Sequence, residues 1–501
     1  MTLSRRQLMS RGGVAGAGAV AIGLGLSSPE SAFADNRGPS QGSTAKLFPP
    51  LRAPAGALLA LPPGFSYEVV AEAGVTDLQD GAGKIIGKTP DRTDGTGVFA
   101  HAKGYRLVQN HELGAGAALP VPQVLGTTYD AGVTGGGCTV VEVDRAGRRR
   151  VEWVGLSGTL NNCAGGVTPW GTWLTCEETE AKAGTISGGQ TLAEDHGFVF
   201  EVFPDSPSAQ VPEPIRAWGR FAHEAAVVAP NRRQVYLTED ASSRNGLLYR
   251  WTAPAGYRVH AGLAKDLDGN QGRLDALIVL APDGSILPDL AYVTSAQIGR
   301  PFRTRWIEVP DRQAASTSVR EQFADGEVTR SKKLEGAWGD RHGLYFAASF
   351  AIAASDLPPD ATKHDGQIWY YSYAEQTLTL KAYFPYNPLL HSETPNWEAT
   401  IGNSLDLAFD GPDNVHVSPY GSLIIAEDGN TANHLISWSD EVGAQAIARN
   451  LIVLEQSSLG GNVYAEMTGP TFTPKGSLLF ANVQQPGHTF VIRGPWRRYL
   501  G

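Results

Sequence analysis

Three cysteines and three methionines in 501 residues leave little room for sulfur chemistry. The odd cysteine count allows one disulfide at most, which excludes a disulfide-stapled scaffold. Past the first 30 positions no apolar run of about 20 residues occurs, so a polytopic membrane protein is excluded. Bases are outnumbered, 41 against 51 acids, whereas a nucleic-acid-binding surface usually needs a basic excess. No Gly-x-Ser-x-Gly elbow, P-loop or dinucleotide fingerprint is present, and no histidine pair has zinc-site spacing. What is plentiful is Gly, 59 residues, and Pro, 32 residues, the mark of many turns between short strands.

The N-terminus reads as an address. Arg5 and Arg6 precede a Gly- and Ala-rich apolar stretch from Gly12 to Leu26, and Ala32, Phe33 and Ala34 supply a cleavage site. This is the pattern of a twin-arginine export signal over residues 1–34. The run is too short for a membrane anchor. Cleavage removes Arg5, Arg6, Arg11 and Glu30, leaving 38 bases, 50 acids and a net charge of −12 over residues 35–501. Twin-arginine cargo folds before export and often carries a metal inserted in the cytoplasm. Secretion or periplasmic residence follows, with the translocation machinery as a partner and no stable membrane insertion afterwards.

One unit recurs six times: an apolar strand, a Pro- or Gly-containing turn, a second strand, then polar or acidic residues. The copies span 97–112, 163–178, 224–240, 335–349, 414–428 and 469–485. A third alternating strand follows each, at 137–143, 197–202, 246–251, 366–371, 434–438 and 488–493. The expectation is an all-β fold, a six-bladed β-propeller forming one domain over 35–501. Insertions lie over one face, with 256–325 the longest. A β-sandwich or two stacked barrels is the alternative.

In a propeller the first strand of each blade lines the central channel, and one hairpin returns the chain to the same rim. Asp94, Cys163, Glu224, Glu335, Asp413 and Glu466 lead the first strands. Glu112, Glu177, Glu178, Glu239, Asp240, Glu427 and Asp428 follow the second strands. So many carboxylates at one mouth repel unless cations neutralise them. Oxygen-only clusters favour hard ions such as Ca²⁺ or Mg²⁺, and a thiolate among them favours a transition metal. Cys163, followed by Ala-Gly-Gly, can be aimed; Cys138 and Cys176 read as core. His111 and His223 each adjoin an acid of the pattern. Arg220, Arg244 and Lys333 are candidate phosphate partners by position. Solvated turn acids and surface charges are the plain alternative for each.

Residues Thr159–Glu178 strongly resemble the signature of the PhoX-type alkaline phosphatases. Gln109–Glu112, Gly219–Glu224, Gly469–Gln485 and Leu61–Tyr67 match that family too. The likeness runs from about position 50 to the end. It implies an exported propeller that hydrolyses phosphate esters with a ferric iron (Fe³⁺) pair and calcium ions (Ca²⁺) nearby. By motif, Cys163 would be the thiolate on iron, with Glu224 and Glu335 as iron carboxylates. Glu112, Glu177, Glu178, Glu239, Asp240 and Glu427 would hold calcium or support its ligands. Lys333 and Arg220 are the catalytic candidates. The family often has Arg-Pro-Glu where this chain has Lys333, Leu334 and Glu335. A guanidinium clamps phosphate bidentately and an ammonium does not. Lys333 thus leaves two rivals open: a calcium-dependent lactonase-type propeller, and a non-catalytic binding module. A monomer acting on a small phosphate ester is the expectation.

Overall fold

The computed structural model describes residues 46–501 apart from 243, 352–363, 391–394, 430 and 457–459. The export-signal reading over 1–34 lies outside them. Most described elements are strands, and the helices among them are short. Six strands lie innermost: Thr93–His101, Asn162–Val167, His223–Val228, Leu334–Gly339, Pro412–Val417 and Met467–Phe472. Each packs against the next, and the last returns to the first. From each, antiparallel strands run outward, so the arrangement is all-β and propeller-like. Among the described residues no helix is long and apolar enough to cross a membrane.

Closure joins distant parts of the chain. Ser66–Glu72 is the outermost strand of the last sheet, pairing with His488–Arg493. Leu59–Ala60 likewise adds to Gly443–Asn450. Two sheets are not separate. Pro301–Arg303 pairs with Thr377–Thr379, which fuses His223–Val228 and its neighbours with Leu334–Gly339 and its neighbours into nine strands. The expected insertion at 256–325 is therefore only partly a cover. It supplies two sheet strands, Arg273–Val279 and Pro301–Glu308, before its later part turns over the rim.

The cores lie between sheets. Trp218, Phe221, Tyr249 and Trp251 fill one, and Phe99, Trp153, Trp173 and Phe200 another. Trp173 fits because Gly97 and Gly165 face it; a Cβ there would meet its ring at 2.5 and 2.8 Å. Burial of such rings at roughly 25 cal/mol per Å² is the main force closing the ring.

Every innermost strand carries the same irregularity. Two residues stand against one of the second strand, a β-bulge, at Asp94-Gly95, Cys163-Ala164, Glu224-Ala225, Glu335-Gly336, Asp413-Asn414 and Gly469-Pro470. A bulge re-aims one side chain out of the pleat. The residue two before the bulge is often left-handed: Arg92, Asn161, Lys333 and Gly411 have φ of 49°, 49°, 53° and 45°. The second bulge residue must be small where strands crowd. A Cβ on Gly336 would lie 2.8 Å from Asn414 Cα, and one on Gly95 2.7 Å from the Cys163 carbonyl. Gly336→Val should therefore destabilise the protein by about 1–3 kcal/mol. Thermal unfolding would show this as a Tm several degrees below wild type, and an unchanged Tm would contradict the crowding.

Candidate metal centre at the channel mouth

The bulges bring five residues able to ligate metal to one ring, Asp94, Cys163, Glu224, Glu335 and Asp413, with Gly469 at the sixth place. Second strands end at the same level and add Glu112, Glu178, Asp240 and Asp428, while Glu466 enters just before Met467. Their donor atoms form three groups: Cys163, Glu178 and Glu224; Glu224, Glu335 and Asp413; Asp413, Asp428 and Glu466. Within each group the atoms lie within 4.8 Å of one another. Glu224 and Asp413 are shared, so the groups form one continuous arc.

Nine carboxylates meet here with two cations beside them. Lys333 donates to Asp240 Oδ2 at 2.7 Å and stands 3.0 Å from Glu335 Oε1. Burial works against its ammonium, but Glu335, Asp240 and Glu178 outweigh that and hold its pKa above the usual lysine value. Arg92 eases the charge on Glu112. Burial pushes the carboxyls of Asp94, Glu178, Glu224, Asp413 and Glu466 well above the usual range, and their mutual repulsion adds to it. Glu335 rises to about 7 through burial and Asp240, eased by Lys333 and by Ser349, which donates to it at 2.6 Å. Burial, then Glu224 and Glu178, push the Cys163 thiol well above its usual pKa.

These residues fit bound cations. Oδ1 of Asp94 is buried without a hydrogen-bond partner. No hydrogen bond reaches the carboxylates of Glu178, Asp428 or Glu466 from the described residues. Acids brought this close without partners, Glu178 and Glu466 half-buried and Asp428 exposed, repel one another until opposite charge is supplied. A thiolate with two carboxylates suits a transition ion, and the all-oxygen groups suit a hard ion.

Several expected site residues stand elsewhere. Glu177, Glu239 and Glu427 end their second strands with the opposite pleat phase, and point away from the channel. Both oxygens of Glu177 are taken, by the N–H groups of Leu160, Gly197 and Phe198 and by His196. Glu239 accepts from Leu247 N–H, Tyr249 and Arg320. Glu427 accepts from Asp410 N–H, His434 N–H and the His434 ring. As direct ligands these three are corrected: their neighbours Glu178, Asp240 and Asp428 face the channel instead.

Arg220 is corrected as a phosphate partner. Its guanidinium donates to the carbonyls of Glu180, His196, Gln313 and Ala314 at 3.0–3.2 Å, so it clamps the rim. Arg244 pairs with Glu321 and Asp325 at the surface. His111 is fixed between the Asp91 carbonyl and Thr139. His223 lies on Phe221 and donates to the Gly219 carbonyl. Burial lowers its pKa to about 3, so it is neutral. Asp94, Asp413, Asp428 and Glu466 received no metal role from the sequence beyond their place at the rim. The usable signal was an acid or Cys followed by Gly, Ala or Asn, in five of the six repeats.

The sign of the pH response follows. Carboxyls whose folded pKa exceeds the unfolded value bind more protons when folded. The stability they contribute is full below the ordinary carboxylate range and lost as pH rises through the folded values, about 7 for Glu335. Chelator-treated protein should thus lose thermal stability between pH 4 and 8, taken as a rough window. Added divalent or ferric ions should reverse the trend, and a flat profile with no cation effect would contradict this electrostatic account.

The sequence matches the family described as PhoX, alkaline phosphatase PhoX, over residues 46–154 and 147–487. No curated protein matches it. Among solved structures, Pseudomonas fluorescens PhoX in complex with vanadate, a transition state analogue, is similar at a TM-score of 0.59. It is 17% identical, with 89% of this chain and 98% of that chain covered, a likeness of fold. The pyranose dehydrogenase PQQ domain from Coprinopsis cinerea is more distant, at TM-score 0.40, 10% identity and 87% and 97% coverage. The match of the family over most of the sequence, on a propeller-like scaffold whose repeats deliver a thiol and nine carboxylates to one mouth, establishes that the chain belongs to the PhoX family of alkaline phosphatases.

Proposed function

We propose that this phosphatase hydrolyses phosphate monoesters at the channel mouth, with iron held by Cys163, Glu178 and Glu224 and calcium by the all-oxygen groups. The observation that carries the reading is the single buried thiol within 4.8 Å of two carboxylates, at one end of an arc otherwise built from oxygen donors. Glu335 joins Glu224 and Asp413 in the middle group, and Asp413, Asp428 and Glu466 form the other end. Ions bound there supply Lewis-acid stabilisation of the charge that develops on phosphoryl oxygens.

The protein's own groups do the rest. Lys333 projects an ammonium among the acids, beside Asp240 and Glu335. Its donors not used by Asp240 and Glu335 are available to a phosphoryl oxygen. Glu335, easily protonated among its neighbours, can accept or release a proton at the rim. Vanadate, the transition state analogue bound to Pseudomonas fluorescens PhoX, is expected to compete with substrate here. On this reading the nine-stranded sheet counts as two blades joined at their outer edges, giving six around the channel. Residues 1–34 act as a twin-arginine signal and 35–501 as one exported, monomeric catalytic domain.

Elemental analysis of the purified mature protein is the test. Iron together with calcium is expected. Calcium without iron would remove the iron assignment and favour the lactonase-type alternative. Cys163→Ser should lose iron and phosphatase activity together, and full activity in that variant would sink the thiolate role. Lys333→Met should raise KM for a phosphate monoester and weaken inhibition by inorganic phosphate, by about tenfold or more for the loss of one charge-assisted contact. Unchanged phosphate inhibition would count against Lys333.

A further inference from the structure

The acids that point away from the channel share one design. At the same register of three sheets, Glu177, Glu239 and Glu427 each hold the backbone N–H where the third strand begins. Each is then bridged to a side chain from another rim segment. His196 donates from Nδ1 to Glu177 at 2.6 Å and lies 3.3 Å from Asp130 through Nε2. His434 repeats this, with Glu427 at 2.6 Å and Asp406 at 3.3 Å. Arg320 takes the corresponding place at Glu239, 3.0 Å away, and reaches Glu180 at 2.5 Å. Asp130 lies between the strands Gly104–His111 and Gly136–Asp144, and Asp406 between Thr377–Phe384 and Pro412–Val417. Both come from segments outside the sheet whose acid they pin. Arg449 also holds Asp406.

Each pinned acid is followed directly by a channel acid: Glu178 after Glu177, Asp240 after Glu239, Asp428 after Glu427. Fixing one carboxylate on the far side of the strand end fixes the peptide that presents the next one. The N–H groups of Glu178 and Asp428 donate to the carbonyls of Asn161 and Gly411 at 2.9 Å, but no hydrogen bond reaches either carboxylate from the described residues, so its aim rests on how that peptide is held. Glu178 belongs only to the group with Cys163, and Asp428 only to the group with Asp413 and Glu466.

We propose that His196 and His434 are positioning residues, each tuning one end of the metal arc: His196, through Glu177, the thiol-containing group, and His434, through Glu427, the all-oxygen group. This rests on the assignment of iron and calcium to those ends. The Asp130 and Asp406 segments thereby set metal affinity without touching metal or substrate. Loss of such an outer partner typically weakens a metal site by about 10- to 100-fold.

The experiment measures iron and calcium retention by the full mature protein against graded chelator, with Tm recorded in parallel. His196→Gln should lose iron at about 10- to 100-fold lower chelator while calcium is held as in wild type. His434→Gln should do the converse. His434→Asn, whose amide nitrogen falls where Nδ1 stood, should recover most of the calcium affinity that His434→Gln loses. Should a histidine variant fail to fold, Asp406→Asn, nearly isosteric and partly exposed, should still weaken calcium and spare iron. A merely structural role would lower Tm and weaken both metals together, or leave both unchanged. Either result overturns the proposal while leaving the metal assignment intact. Wild-type protein lacking one of the two metals would overturn the assignment and this inference with it.

Discussion

Nine carboxylates and a thiol, with Lys333 and Arg92 among them to offset the charge, repel one another at one mouth. Most of the unusual local structure exists to hold that assembly together. The six bulges turn one side chain per repeat inward. The small residues behind them let neighbouring strands approach. The buried Glu177, Glu239 and Glu427 brace the strand ends against which the inward acids push. The packing between sheets, with tryptophan and tyrosine rings closing on glycine, provides the stiffness. Cations complete the arrangement, and the folded protein is at once a scaffold and a ligand set waiting for charge.

Much of this was written in the repeats. All six third strands lie where alternation places them, four led by glycine and two by His434 and His488, and the segment Thr159–Glu178 holds the Cys163 bulge and its hairpin as one continuous block. Legibility ended at the pleat. Glu177 and Glu178 are adjacent acids, and only the bulge opposite, around Cys163 and Ala164, decides which one faces the channel. Nothing in composition marks that phase. The same holds for Glu239 with Asp240 and for Glu427 with Asp428. Arg220 reads as a phosphate partner by position only. Its real role depends on where the segment carrying Gln313 and Ala314 folds back, a contact some 90 residues away in sequence. The fusion of two sheets through Pro301–Arg303 is equally non-local, an edge pairing that period-two patterning cannot announce.

The centre also shows how one backbone position acquires different chemistry by repetition. Arg92, Asn161, Lys333 and Gly411 occupy equivalent left-handed sites two residues ahead of a bulge. Glycine meets the steric demand directly, and asparagine tolerates it well. Arginine and lysine accept the strain of about 1 kcal/mol or more that such a conformation carries. In exchange each places a cation at the mouth of an acidic channel. Lys333 then stands where its ammonium reaches both Asp240, from the neighbouring hairpin, and Glu335, two residues on. A single strained residue therefore links two repeats electrostatically, beside the bond its own N–H donates to the Ala241 carbonyl at 3.2 Å.

The pairing of Ser66–Glu72 with His488–Arg493 has a temporal consequence. The strand that completes the last sheet is made some 400 residues before its partner. Until the C-terminal strands emerge, the ring stays open and Asp413 and Glu466 have not met Asp94. The arc of ligands is thus a property of the finished chain alone. A product stalled before Glu466 lacks the all-oxygen end of the arc, whatever Cys163, Glu178 and Glu224 have already formed.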